Sequence, residues 1–186
     1  MNEEALVIRA RRGDRQAFAE LVGEHHARLV AAARALVGDA DAAQDISQEA
    51  FIEAYRSLPR LEHPRRFRPW LFSILRHRAL NYLRSAGKSD RLVPLDEASD
   101  RPAEAAGTEP SEPFETIRGK LDSLSVRHRE ILAAKYLEGL SYGEIAQSFG
   151  LSVNAARVRC HRAKEKLREL LGQDEGLSPA TEGVAP

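Results

Sequence analysis

Residues 141–163 read SYGEIAQSFGLSVNAARVRCHRA. Ser141 and Glu144 form an S-x-x-E capping box, which satisfies two orphan backbone donors where a helix starts. Gly150 stops the short helix that follows, and Ser152 caps a second one running to about residue 171. Two helices joined by a glycine-containing turn have the proportions of a helix-turn-helix. Ile145, Ala146, Phe149, Leu151, Val153 and Ala156 are small or apolar at the spacings that pack two crossing helices. Arg157, Arg159 and Arg162 leave the second helix, with Asn154 and Ala155 in its first turn. A recognition helix offers its N-terminal residues to base edges. Arginine can pair with guanine at two atoms, and asparagine with adenine. Arg162, Lys164 and Lys166 lie further along and suit phosphates. A basic face is common on surface helices, so the capping box, the turn and the apolar spacing carry this reading, not the arginines alone.

Outward from this motif, the charge is unevenly placed. The 186-residue chain carries 28 acidic and 28 basic residues, so its total charge identifies no partner. Between Arg118 and Glu169, however, eleven basic residues face six acids. Between Asp90 and Glu115, eight acids face two arginines. A neutral total therefore hides a basic module balanced by an acidic segment. Residues 87–113 also hold four of the nine prolines and few large apolar side chains, which reads as a flexible linker. The single cysteine, Cys160, excludes an internal disulfide and fits a reducing compartment. On the recognition helix it reads as a small packed residue rather than a redox switch. Leu6-Val7-Ile8 is too short for a signal peptide, and no apolar run approaches a bilayer span. The expectation is a soluble, cytoplasmic, all-α protein.

Upstream, apolar residues recur at three and four. Asp14 reads as the N-cap of a helix through about residue 37, with Phe18, Leu21, Leu29, Val30 and Leu36 inward. A second helix covers roughly 41–58 and is expected to bury Ile46, Phe51, Ile52 and Tyr55. Pro59 and Pro64 bound a loop. A third helix runs from about 67 to 85, with Pro69 in its first turn and Trp70, Leu71, Ile74, Leu75, Leu80 and Leu83 inward. Beyond the linker, a helix near 114–121 precedes one at 126–137, which Ser125 caps and Gly139 ends. The organisation expected is a helical unit over 1–86, a linker over 87–113, a helix-turn-helix unit over 114–172 and a dispensable tail over 173–186.

Two surfaces of the first unit stand out. Residues 39–53 hold Asp39, Asp41, Asp45, Glu49 and Glu53 with no basic residue. Asp45 and Glu49 share one helix face with Gln48, a like-charge arrangement that hints at a basic partner. Residues 65–88 hold seven basic residues and no acid, interleaved with Phe67, Trp70, Phe72 and Tyr82. Such a mixture suits single-stranded nucleic acid, where bases stack and phosphates pair with cations.

DAAQDISQEAFIEAYRSLPRL, followed by FRPWLFSILRHRALNYLR, resembles region 2 of bacterial sigma factors. LDSLSVRHREILAAKYLEGLSYGEIAQSFGLSVNAARVRCHRAKEKLREL resembles their region 4. Joined directly by a linker, the pair resembles the extracytoplasmic-function (ECF) group. The resemblance implies RNA polymerase core as partner, through the β′ clamp helices and the β flap, together with promoter DNA and an anti-sigma factor. It implies that Asp45, Gln48 and Glu49 dock on the clamp helices. It gives the loop that captures a flipped −10 base as Pro59, Arg60, His63, Arg65, Arg66 and Phe67, with Arg68 and Trp70 at its helical edge. Arg76, Arg78, Asn81 and Arg84 match the helix that follows the DNA there. Ser152, Asn154, Ala155, Arg157, Val158, Arg159, Arg162 and Lys166 match the −35 reader. The acidic linker would imitate RNA in the exit channel. Gln44 stands where the family often has an acid, and Val158 where a hydroxyl residue is frequent, so base preference does not carry over.

Two other readings compete. A helix-turn-helix activator of response-regulator type explains the second unit and leaves the helical first unit without a role. A metal hydrolase built on His25, His26, Asp39, Asp41 and Asp45 lacks a ligand pair at i, i+4, since the two histidines are adjacent. No phosphate-loop motif occurs, so strand opening would draw on binding energy alone. No cofactor or metal is expected.

Overall fold

The computed structural model describes residues 2–87 and 119–172. The expected linker beyond Gly87, the start of the expected helix at 114–121 and the expected tail lie outside the described residues. No strand occurs among the described residues.

Helix α1, Glu3–Arg11, starts where the Asn2 side chain accepts the Glu4 N–H at 3.1 Å. The sequence reading placed no helix there. Leu6 and Val7, with Ala10 one turn on, form a short apolar face that is buried against α2. Helix α2, Arg15–Val37, begins at the predicted cap: Asp14 Oδ1 accepts the Ala17 N–H at 3.0 Å. Helix α3, Ala40–Ser57, begins where Asp39 Oδ1 accepts the Ala42 N–H at 2.8 Å. Two short 3-10 turns, Leu58–Arg60 and Pro64–Arg66, make up much of the expected loop. Helix α4, Phe67–Ser85, tolerates Pro69 because the first turn needs no donor from it. Leu21, Leu29, Leu36, Phe51, Phe67, Leu71, Phe72 and Leu75 fill the space between α2, α3 and α4.

In the second unit, residues 119–122 are helical, and Ser125 Oγ accepts the His128 N–H and caps α5, Val126–Leu132. A continuous helix to residue 137 was expected. Instead Ala133–Leu137 form a wider π turn, in which the Glu138 N–H reaches back five residues to the Ala133 carbonyl at 3.0 Å. Helix α6, Tyr142–Phe149, carries the predicted capping box: the Ser141 N–H donates to Glu144 Oε2 at 2.7 Å and the Glu144 N–H to Ser141 Oγ at 3.2 Å. Helix α7 is Val153–Gly172.

The buried apolar residues of both units form one cluster. Phe72 of α4 stacks on Phe149 of α6 with ring centroids 6.3 Å apart. At the end of α2, Gly38 turns with φ +79°, and a Cβ there would stand 2.8 Å from Asp122 Oδ1. Only glycine combines that left-handed turn with that close approach. Asp122 in turn accepts from the buried Arg129 at 3.0 Å.

Candidate nucleic-acid and polymerase interface

The reading helix α7 has two faces. Ala156, Cys160 and Ala163 recur at four and three and are buried, and their small size lets α5 and α6 approach closely. Asn154, Ala155, Arg157, Val158 and Arg162 are exposed on the other side. Ser152 Oγ accepts the Ala155 N–H at 3.1 Å, so Ser152 serves as the helix cap. The Arg157 guanidinium lies 5.6 Å from the Tyr142 ring centre, which pre-positions it on the exposed face. Arg159 is only half-exposed; burial, with the neighbouring Arg127, pushes its pKa down. Lys166 pairs with Glu169 at 3.2 Å, far from the helix start. Val153 was expected to pack between the helices and is instead 48% exposed at the first turn.

On the first unit, Pro59, Arg60, His63, Arg65 and Arg66 are exposed on the 58–66 segment. Arg60, His63, Arg66, Trp70 and Ser73 line an open cleft, and Gln147 and Ser148 of α6 close one side of it. Arg65 Nε donates to Glu4 Oε2 at 2.9 Å. Phe67, expected in the same loop, is fully buried and packs at a tilt near His25 and Trp70, so it supports the loop from beneath. Burying such a ring contributes about 1.5–3 kcal/mol, which explains its place under the turn. Along α4, Asn81 and Arg84 are exposed, and Arg84 Nη1 donates to Asn81 Oδ1 at 3.0 Å. Arg68, Arg76 and Arg78 all have protein partners. Arg68 donates to the Glu138 carbonyl, and Arg76 pairs with Glu130. Arg78 pairs with Glu49 and, at 2.8 Å, with Glu53.

On α3, Asp45, Gln48 and Glu49 are exposed on one face. Ile52 and Tyr55 continue that face, 44% and 41% exposed, although the sequence reading buried both. Phe18 and Val22 of α2 flank Tyr55 in a shallow apolar depression, with the Phe18 and Tyr55 rings 4.9 Å apart. The signal was available: Ile52 lies seven residues after Asp45, two helical turns along the same face.

A family model described as Sigma-70 region 2 matches residues 21–89, and one described as Sigma-70, region 4 matches residues 114–167. RNA polymerase sigma factor CarQ of Myxococcus xanthus is 35% identical, over 90% of this chain and 96% of its own. The ECF RNA polymerase sigma factor SigD of Mycobacterium tuberculosis is 31% identical, over 89% of this chain and 82% of its own. The chain belongs to the ECF sigma factors. The same fold occurs in CnrH bound to the cytosolic domain of CnrY, with a TM-score of 0.64 at 27% identity, covering 92% of this chain and 98% of that one. It occurs again in sigma factor RpoE of Bartonella quintana bound to the anti-sigma factor NepR, with a TM-score of 0.66 at 26% identity, covering 84% and 98%.

An ECF sigma factor is a transcription initiation factor and not an enzyme: it associates with core RNA polymerase and directs it to promoter DNA. The response-regulator alternative is not favoured, because both units match one family in order. No described helix of this sigma factor is long and apolar enough to cross a membrane. Glu3, Glu24 and His25 bring potential ligand atoms within 4.8 Å of one another. His25 Nε2 already lies 3.0 Å from Glu3 Oε2, and Arg68 and Arg28 act on the same carboxylate, so a metal cation there would meet two fixed positive charges.

Proposed function

We propose a division of labour among three surfaces of this ECF sigma factor. The α3 face of Asp45, Gln48 and Glu49, extended by Ile52 and Tyr55, docks on the β′ clamp helices. The cleft under Arg60, His63, Arg66 and Trp70 takes an unstacked −10 base of the non-template strand. Arg76, Arg78, Asn81 and Arg84 follow the phosphates there, while Asn154, Arg157, Val158 and Arg162 read the −35 element. The observation that carries this reading is the two-faced α7, whose small buried residues leave its first exposed turns open to base edges.

The boundaries follow the sequence: a region 2 unit over 1–86, an acidic linker over 87–113 in the RNA exit channel, a region 4 unit over 114–172 on the β flap, and a tail over 173–186. The protein works in the cytoplasm, and an anti-sigma factor restrains it. The complexes that CnrH and RpoE form with CnrY and the anti-sigma factor NepR support that last partner. Unstacking a base costs a few kcal/mol, which stacking on Trp70 and phosphate pairing offset. The test is reconstitution with core polymerase on a promoter library, followed by transcript sequencing. Defined start sites are expected; unselected starts would overturn the reading.

A further inference from the structure

Arg76 lies on the helix that the proposed function gives to promoter DNA, yet its partner here belongs to the other unit. Its Nε is 3.1 Å from Glu130 Oε1, and its guanidinium covers the Phe149 ring at 4.6 Å. Glu130 sits on α5 and is 3% exposed. Around the same interface, Arg68 donates to the Glu138 carbonyl, and Gln147 and Ser148 close the base-capture cleft. Gly139 fits there with φ +66° and Arg68 Nη2 3.1 Å from where a Cβ would be.

We propose that Glu130 stands in for a DNA phosphate. Its carboxylate occupies Arg76 in the unbound chain, so that region 4 and the promoter single strand compete for the same face of α4. The proposal rests on the reading of α4 and α7 as DNA-contacting helices. A carboxylate and a phosphate offer a guanidinium the same kind of charged acceptor oxygens. Glu130 is the acid that Arg76, Arg127 and Arg159 all act upon. Arg159 is a −35 candidate and Arg76 a −10 candidate, so the acid that pairs with Arg76 also lies in the field of a −35 candidate. The two elements are separated by about 25 base pairs, or about 85 Å of duplex at 3.4 Å per base pair. Units packed on one core cannot contact both, so promoter binding requires this interface to part. The contact is suited to parting, because a buried ion pair gains little over its desolvation cost. In keeping with that, burial pushes the Glu130 carboxyl up despite the adjacent Arg76.

The test uses the full chain without polymerase. Small-angle X-ray scattering gives its radius of gyration, and fluorescence anisotropy gives its affinity for a labelled single-stranded oligodeoxynucleotide of random sequence. Wild type is expected to be compact and to expand as the oligonucleotide saturates it. Glu130→Ala and Phe149→Ala should each expand the unbound chain and tighten oligonucleotide binding about tenfold. Far-UV circular dichroism checks that both variants keep their helices; if either loses them, the wild-type titration alone decides. A wild-type chain that stays compact with the oligonucleotide bound, or folded variants that bind it no tighter, would overturn the competition. Association with core polymerase is measured in parallel. Its absence would refute the functional reading, while the scattering result would still answer for the interface.

Discussion

Arg157 and Ile52 show what a single side chain decides. Arg157 is exposed, pre-positioned against Tyr142, and belongs to α7 rather than to the α3 docking face. Arg157→Ala should weaken −35 recognition by about 1–3 kcal/mol and leave core-polymerase affinity unchanged. Competition binding to promoter fragments, beside a core pull-down, checks both halves of that statement. Ile52 is a large apolar residue held in water beside Asp45 and Glu49. Ile52→Asp should lower core affinity about tenfold while the melting temperature moves little, since exposed substitutions stay within about 0.5 kcal/mol. At this scale the sequence was legible where helical phase fixed a side, as at Ala156 and Arg157. It was less legible at Phe67, where the sequence did not show that the ring is buried. The ring fills the space beneath the turn beside His25 and Trp70.

Caps and breaks explain why the elements were the most readable level. Asp14, Ser125, Ser141 and Ser152 all cap where the sequence placed them, because each signal is local: a side-chain oxygen two or three residues from an orphan N–H. Ser141→Ala removes one half of the capping box at the start of α6. It should cost about 1 kcal/mol, lowering the thermal midpoint by a few degrees in a calorimetric scan. Full retention of the midpoint would mean that packing of Ile145 and Ala146 alone fixes the helix. Of the elements missed, α1 does carry a local start signal, the Asn2 cap, which the sequence reading passed over. Its apolar stripe is short, Leu6, Val7 and Ala10, and the helix is also tied down by Glu3 against His25, a contact made across the fold. The π turn at Ala133–Leu137 looks like ordinary helix in sequence, and its wider turn places the Glu138 carbonyl against Arg68.

The packing of region 2 on region 4 was not legible, because a contact between Arg76 and Glu130, 54 residues apart, leaves no period in the chain. It has a pH signature. Burial pushes the carboxyls of Glu130 and Glu138 above their ordinary 4.5, against Arg76, Arg159 and Arg127 at the first and His25, Arg68 and Arg28 at the second. The folded chain therefore holds protons that the unfolded chain has released. Stability should rise as pH falls from neutral towards 4.5, then level off for these two groups. Glu3 has the opposite sign: its hydrogen bond with His25 pulls its carboxyl below 4.5, so its contribution is complete above 4.5 and is lost as acid protonates it. Thermal melts across pH should therefore peak on the mildly acidic side; a midpoint that climbs steadily to neutral would contradict the raised carboxyls of Glu130 and Glu138. Cys160 adds a consequence at the scale of the cell. Its thiol lies on the inner face of α7, 1% exposed, with burial pushing its pKa up. The reactive thiolate is thus scarce and shielded. Peroxide or an electrophilic stress would find no handle on the reader itself, and oxidative control of these promoters would have to act through a separate sensor.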